Sequence, residues 1–318
     1  MPKIFKSVDR PVLIAFCFII VLLVAGSIYD SNFLSTQYLL TQLQVAAFLG
    51  VVATGAMIVI LPGHIDLSLP WVITVGGMMS TAMVGWFGEF GPILALPFAV
   101  LCGTFFGVIN GLGVAYLRIP SMIFTLGINA VAQGLMVVRT GGFAPQDEAS
   151  KFMHWLAVER TILGIPNALF VWAIVGALAV IMLKRTPLGR YIYAIGNKER
   201  ATYLSGVNTR TVLITCFAIS GACGGLAGVL LAGYSQKAYQ AMGDAYLLPS
   251  IAAVVLGGTN ILGGSGSYIG TVAGVLLITL LQSILSVMQM PEAGRQIIYG
   301  AVIILMMLVY GRGRRVSG

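Results

Sequence analysis

Charged residues are scarce in this sequence. Asp, Glu, Lys and Arg make up only 9% of the 318 residues, whereas 58% are hydrophobic and the mean hydropathy is +0.96. A soluble protein of this length needs far more charge on its surface. The composition therefore excludes a soluble domain and predicts an all-α membrane protein, in which residues 1–318 form a single transmembrane domain.

Motifs of several enzyme classes are also missing. The sequence has no G-x-x-x-x-G-K-[ST] phosphate loop, so the chain cannot be its own P-loop ATPase. It has no nucleophile elbow and no Cys and His residues at metal-ligand spacing. The cysteines all lie in apolar runs, where we interpret them as packing residues: Cys17, Cys102, Cys216 and Cys223. We therefore expect no catalytic residue, no metal site and no cofactor bound by this chain.

Carboxylates are nearly absent from the apolar runs. Asp66 is the only acid expected near membrane depth, where an ionisable residue is a functional candidate by default. A helix cap near the interface would explain Asp66 as well, and we favour that interpretation. A proton-driven pump needs a chain of buried carboxylates. Uphill transport would therefore have to draw its energy from another subunit.

The basic residues are concentrated in a few places. They cluster at the N-terminus, at Arg118, between residues 184 and 210, and at the C-terminus, and most acids lie in the segments between. Basic loops remain on the cytoplasmic side of membrane proteins. The clusters therefore indicate topology and not a nucleic-acid surface. About ten transmembrane helices, with both termini cytoplasmic, would bring every cluster to that side.

The apolar runs predict where these helices lie. The expected spans are residues 11–29, 41–61, 69–84, 92–116, 121–138, 168–183, 211–232, 247–256, 269–288 and 296–310. The eighth is too short to cross alone. Glycines recur at helical spacing in the fourth and seventh spans, at Gly103, Gly107 and Gly111 and at Gly221, Gly225 and Gly228. We expect these small residues to let helix backbones pack closely.

Two irregular segments interrupt the apolar pattern. In residues 62–70, Pro62 and Gly63 stop one helix, and Asp66 or Ser68 can cap the next. Residues 257–267 are a charge-free, glycine-rich turn. Irregular backbone at membrane depth must be buried in protein or line a cavity. Both segments are therefore candidates for a pathway or gate. The alternative for each is a tight structural turn. The candidate residues are His64, Asp66, Ser68, Asn110, Asn129, Gln133, Thr259, Asn260 and Gln282.

The basic segment at residues 184–210 contains a further pattern. Residues 198–204 predict a short amphipathic helix, with Asn197 as its N-cap and Glu199 in its first turn, where the helix dipole favours an acid. A short helix between two membrane spans is typical of a docking element. A solvated helix lying along the lipid headgroups is the alternative.

Three blocks of the sequence resemble a known family. Residues 62–68, PGHIDLS, look like a GGIDLS segment; residues 194–208, AIGNKERATYLSGVN, are similar to an AIGGNxxAAxxSGIN loop; and residues 251–259, IAAVVLGGT, look like an IAAVVLGGTS block. The chain thus resembles the membrane permeases of bacterial ABC importers for monosaccharides, the ribose-type group related to the branched-chain amino acid permeases. It departs from the pattern at His64, at Pro70 and at residues 247–250, where LLPS replaces an acidic E-L-D-A.

The resemblance implies a transport subunit of the bacterial cytoplasmic (inner) membrane and not an enzyme. A cytoplasmic ABC ATPase would bind ATP and Mg, a periplasmic sugar-binding protein would deliver the substrate, and a second permease copy or a paralogue would complete the pathway within the membrane lipid. The helix that matches the family's coupling helix comprises Gly196, Asn197, Lys198, Glu199, Arg200, Ala201 and Leu204.

Other functions remain open from the sequence. The substrate could instead be a branched-chain amino acid or a nucleoside, although the uncharged spans favour a neutral solute, since a zwitterion prefers helix ends or charged partners. An ion-coupled secondary transporter is a hypothesis of another class, for which Asp66 alone is thin support. A membrane scaffold or receptor is disfavoured by the interrupted helices and the basic docking segment.

Overall fold

The computed structural model describes residues 10–29, 31–291, 293–301 and 304. Within these residues the structure is helical and contains no β-sheet. The helices are α1 (Arg10–Tyr29), α2 (Thr36–Ile60), α3 (Leu69–Phe87), α4 (Gly91–Ala115), α5 (Ser121–Thr140), α6 (Lys151–Val158), α7 (Asn167–Arg185), α8 (Pro187–Leu204), α9 (Thr209–Ser235), α10 (Leu247–Leu256) and α11 (Tyr268–Val287). Residues 293–301 are helical as well.

Six stretches of the described chain are long and apolar enough to cross a membrane. They are Thr36–Ile60, Leu69–Ala115, Ser121–Thr140, Asn167–Arg185, Thr209–Ser235 and Tyr268–Val287. The stretch Leu69–Ala115 contains both α3 and α4, which are separated by a 3-10 turn at Gly88–Phe90. Shorter apolar helical stretches lie at Ala15–Ile28 and Asp244–Leu256. The described helices are those of a multi-pass membrane protein.

The predicted spans agree closely with these helices. The short eighth span coincides with α10. The tenth, residues 296–310, is helical at 296–301 and 304, and its other residues lie outside the described chain. The basic residues before Arg10 and after residue 310 also lie outside it. The polar link between α5 and α7 contains a helix that the sequence analysis missed, α6, whose N-terminus is capped by the Ser150 side chain.

The structure corrects the prediction for residues 184–210. This segment is helical from Pro187 to Leu204, and only Lys198 has non-helical backbone angles, with φ −162° and ψ 92°. An extended backbone is typical of an N-cap residue, so the second half of α8 begins after Lys198. The prediction that Asn197 caps this half is wrong, because the Asn197 side chain donates to the carbonyl of Tyr193 at 2.9 Å.

Helix α9 lies at the centre of the bundle, where it packs against α2, α3, α4, α6 and α8. Glycines make its closest contacts. A Cβ atom added to Gly221 would lie 2.1 Å from the backbone oxygen of Gly103 on α4. One added to Gly228 would lie 2.2 Å from the backbone oxygen of Ile73 on α3. The prediction that the glycine repeats let helices pack closely is thus confirmed.

Candidate functional site

The chain between α2 and α3 is irregular where the sequence predicts it. Helix α2 ends at Ile60, and Gly63 has a φ of +91°, which residues with a side chain rarely adopt. Ser68, the residue before α3, makes no side-chain cap hydrogen bond. The prediction that Ser68 caps α3 is therefore wrong, and Asp66 bonds to the N–H of Ser68, the residue before α3, instead of to an N–H of the helix itself. We call residues 61–68 the break.

Asp66 is the centre of a buried polar cluster, with only 4% of its surface exposed. Its Oδ1 accepts hydrogen bonds from the Ser68 hydroxyl at 2.6 Å and the Ser68 N–H at 3.0 Å. Its Oδ2 accepts one from the Ser220 hydroxyl of α9 at 3.0 Å. Asn110 of α4 donates to the Ser68 oxygen at 2.7 Å. We call these four residues the Asp66 cluster, which ties the break to α4 and α9.

Polar side chains of α5, spaced four residues apart, accept hydrogen bonds from the backbone of the break and of the first turn of α3. Three backbone N–H groups donate to this row: Ile65 to Oγ of Ser121 at 3.2 Å, Leu67 to Oγ1 of Thr125 at 2.9 Å, and Trp71 to Oδ1 of Asn129 at 3.3 Å. Interrupted helices leave such groups without intrahelical partners, and buried N–H groups need a partner. The row on α5 therefore stabilises the irregular backbone.

The glycine-rich turn at residues 257–267 packs directly on the break. The N–H of Gly264 donates to the carbonyl of Leu61 at 2.9 Å. A Cβ atom added to Gly263 would lie 2.7 Å from the backbone nitrogen of Gly63. The two irregular segments, which are far apart in the sequence, therefore form one backbone-to-backbone contact.

The remaining candidate residues lie in different places. Thr259 is fully buried within the turn, and Asn260 shapes the same turn by accepting a hydrogen bond from Leu262 N–H at 3.0 Å. His64 is half-buried in the break. Gln133 is exposed on α5, and Gln282 lines a separate cavity against α2. The structure therefore brings Asp66, Ser68 and Asn110 together, with Asn129 close by, but leaves Gln133 and Gln282 outside this group.

The first half of α8 ends against both irregular segments. A Cβ atom added to Gly196 would lie 2.1 Å from the oxygen of Leu61 and 2.3 Å from the nitrogen of Gly264. The Tyr193 hydroxyl donates to the carbonyl of Gly266 at 2.9 Å. Burial raises the pKa of Tyr193, which keeps this hydroxyl protonated and able to donate. We call the contact of Gly196 with Leu61 and Gly264 the α8 joint.

The second half of α8 offers a free surface. Its exposed residues are Lys198, Arg200, Ala201, Tyr203 and Leu204. Leu204 is 85% exposed, so this surface also presents a large apolar side chain. Glu199 accepts a hydrogen bond from Arg118, in the link between α4 and α5, at 3.0 Å. One end of the helix bundle thus presents a mixed cationic and apolar surface that is connected through the α8 joint to the break.

Three residues of this site were missed from the sequence. Ser121 and Thr125 precede the candidate Asn129 at four-residue spacing, and that spacing on one face of a span was the available signal. Ser220 lies in the apolar span at residues 211–232, and nothing local in the sequence indicates its partner. Within the described part of the chain, no group of His, Cys, Asp or Glu side chains could hold a metal ion. The polar groups of the site are hydrogen-bond donors and acceptors.

Comparison with known proteins identifies similar chains. The ribose import permease protein RbsC of Haemophilus influenzae is 34% identical over 296 residues, which are 92% of this chain and 91% of the relative. RbsC of Escherichia coli strain K12 is 33% identical over 294 residues, again 92% and 91% of the two chains. The autoinducer 2 import system permease protein LsrC of Yersinia pseudotuberculosis is 31% identical over 299 residues, which are 90% and 81%. No solved structure matches the chain.

A family model, described as the branched-chain amino acid transport system / permease component, matches residues 38–307. This range contains the break, the Asp66 cluster, the turn at residues 257–267 and the α8 joint. Together with the apolar helices, the match identifies a multi-pass protein of the bacterial inner membrane. The chain therefore belongs to the family of branched-chain amino acid transport system permease components, which confirms the resemblance seen in the sequence.

Proposed function

We propose that the chain is the transmembrane permease subunit of an ATP-driven importer of a monosaccharide or a related sugar or polyol. The observation that carries the proposal is the similarity, over 92% of the chain, to two ribose import permease proteins. The site agrees with a neutral solute, because its side chains are hydroxyls and amides apart from Asp66 and His64. The Asp66 carboxylate is already occupied by serine donors.

Ten crossings with both termini in the cytoplasm remain our proposed topology. The Arg118–Glu199 pair, at 3.0 Å, supports it because it joins two predicted basic segments at one end of the bundle. Helix α5 runs from that end to Arg139, which pairs with Asp147 at 3.0 Å. Within the described residues, the end with α8 also carries the exposed residues Lys184, Arg185, Lys198 and Arg200, and basic loops favour the cytoplasm.

In the proposed mechanism, α8 couples ATP hydrolysis to transport. A cytoplasmic ABC ATPase, which would hold the ATP and Mg, docks on residues 196–204. Its movement displaces α8, and the α8 joint passes that displacement to the break and to the turn at residues 257–267. The pathway opens beside these segments, at the interface with a second permease copy or a paralogue. A periplasmic sugar-binding protein supplies the substrate from the opposite side. This subunit then works by conformational gating and has no covalent step.

A branched-chain amino acid is the second candidate substrate. It is favoured by the description of the family model itself. The absence of Lys and Arg from residues 61–68 argues against it, since the carboxylate of a zwitterion is best held by a cation. Uptake measured with a panel of sugars, polyols and amino acids separates the two candidates.

The docking role of α8 predicts the effect of reversing its charge. We expect the double variant Lys198→Glu and Arg200→Glu to lose the ATPase during purification and to lower ATP-driven uptake at least tenfold. The reason is that like-charge contacts across an interface cost several kcal/mol, and about 1.4 kcal/mol is already a factor of ten. Co-purification of the ATPase and uptake into vesicles measure the two effects.

The matched control reverses two exposed basic residues at the end of α7, in the variant Lys184→Glu and Arg185→Glu. It removes the same charge from the same end of the bundle and should leave both measurements near the wild-type values. Normal assembly and uptake in the α8 variant would exclude the coupling role.

A further inference from the structure

A cavity of about 310 Å³ lies against the break, and no residue of the Asp66 cluster lines it. Ligand pockets have volumes of roughly 300–1,000 Å³, so the cavity has the size expected for one small molecule. Four parts of the chain line this half-open cavity. They are the break and the start of α3 (Leu67, Pro70), α5 (Leu126, Asn129), residues 244–249, and the helix at residues 293–301 (Gln296, Tyr299).

The polar side chains that line this cavity carry a carboxylate, two amides and the phenol group of Tyr299. Asp244, Asn129 and Gln296 line it, and leucine and proline side chains form most of the rest. The carboxylate of Asp244 has no ion-pair partner within the described residues, and no basic residue lines the cavity. An ionised carboxylate only accepts hydrogen bonds, and an amide both donates and accepts.

This set of groups selects among ligands. A neutral polyhydroxylated molecule can donate two hydroxyls to a carboxylate, exchange hydrogen bonds with amides and lay its C–H faces on apolar side chains. An amino acid would find a partner for its ammonium group at Asp244, but no basic side chain lines the cavity to pair with its carboxylate. An anionic ligand would face an uncompensated negative charge. The cavity therefore fits a sugar or polyol best among these classes.

The cavity is also in contact with the gate segment. Leu67 belongs to the break, and its N–H is held by Thr125 at 2.9 Å. Asn129 accepts a hydrogen bond from Trp71 N–H, which leaves its amide nitrogen for a ligand. A molecule in the cavity thus contacts residues that hold the break in position. Movement of the break, driven from the α8 joint, would change the wall of the cavity.

We propose that this cavity is the pocket in which the permease holds the sugar during transport, with the Asp244 carboxylate accepting hydrogen bonds from sugar hydroxyls and Asn129 and Gln296 completing the contacts. The assignment rests on the proposed function and adds the residues that recognise the substrate. Asp244 then contacts the sugar directly, whereas the Asp66 cluster connects the break to α4 and α9.

The first test uses the complete complex of permease, ATPase and binding protein in proteoliposomes. We expect Asp244→Asn and Asp244→Ala to lower the maximal rate of sugar uptake about tenfold, which is the effect of losing one hydrogen bond to a charged group. ATP hydrolysis stimulated by the binding protein should remain near wild type, so fewer sugars are imported per ATP. Asp244→Glu should recover part of the uptake. The control Glu89→Gln changes an exposed acid outside the cavity and should have no effect.

The second test measures occupancy without relying on transport. A cysteine is introduced at Leu248, which lines the cavity, in a variant with Cys17→Ser and Cys102→Ser, the two native cysteines that are not buried. The transported sugar should slow the reaction of this cysteine with a small thiol reagent. It should not slow the reaction of a cysteine introduced at Leu163, which is 92% exposed and outside the cavity.

The outcomes distinguish a failure of the pocket assignment from a failure of the proposed function. Suppose that the wild-type complex imports a sugar, that the Asp244 variants import as many sugars per ATP as wild type, and that the sugar does not protect the cysteine at residue 248. These results would overturn the assignment of the pocket and leave the importer function intact. ATP-driven uptake of no sugar by the wild-type complex would overturn the proposed function itself.

Discussion

Replacing Gly196 with alanine is expected to lower ATP-driven uptake more than tenfold while the permease still inserts in the membrane. The new Cβ atom would lie 2.1 Å from the oxygen of Leu61 and 2.3 Å from the nitrogen of Gly264. Both are backbone atoms, which cannot relieve the clash by a change of rotamer as a flexible side chain can. Overpacking of this kind costs about 1–3 kcal/mol, and α8 would move away from the break and the turn to relieve it. Uptake into proteoliposomes, normalised to the amount of inserted permease, measures the effect.

The matched control is Gly134→Ala, the same substitution in a helix. A Cβ atom added to Gly134 meets no atom within 4 Å. Alanine also favours the helix over glycine by about 1 kcal/mol. This variant should therefore transport at the wild-type rate. Equal uptake by the two variants would show that the α8 joint does not transmit movement.

Replacing Asp66 with leucine is expected to destabilise the permease and to abolish uptake. Leucine has the same branching of side-chain heavy atoms but no acceptor, so the Ser68 hydroxyl, the Ser68 N–H and the Ser220 hydroxyl all lose their partner. Each buried polar group left unsatisfied costs roughly 1–3 kcal/mol. The break would lose its connection to α9. Thermal unfolding in detergent and uptake in proteoliposomes measure the two consequences.

Asp66→Asn separates hydrogen bonding from charge. The amide keeps an acceptor for Ser68 and has the shape of the carboxylate. We expect this variant to unfold within a few degrees of wild type and to retain most of its uptake. A loss as large as that of Asp66→Leu would show that the charge of Asp66 is itself required, which is the result expected of an ion-coupled transporter.

Much of the helical framework is predictable because its signals are local. Apolar runs give the positions of the membrane helices, and α10 has the predicted bounds. Glycine spacing indicates where α4 and α9 meet, since a backbone contact needs small residues on both helices. Helix α6 was missed although Ser150 is a suitable N-cap, because an eight-residue helix is too short to show a clear period.

The details of the site depend on tertiary contacts that no local pattern reveals. Asp66 looks like a helix cap in sequence, but its partner Ser220 lies 154 residues away. The break likewise takes its acceptors from α5, which begins at Ser121. The bend at Lys198 follows two residues after Gly196, where α8 meets Leu61 and Gly264. The polarity of these residues marks them as candidates, whereas their roles follow from the packing of helices that are distant in sequence.

Sugar uptake by the reconstituted complex tests the central claim most directly. The permease is placed in proteoliposomes with its cytoplasmic ATPase and its binding protein, and uptake is followed with a panel of monosaccharides and polyols. We predict uptake that requires ATP on the ATPase side, ATP hydrolysis stimulated by at least one of these sugars, and no uptake from an ion gradient alone. Uptake by the purified permease without an ATPase, driven by an ion gradient, would contradict the account and would identify a secondary transporter.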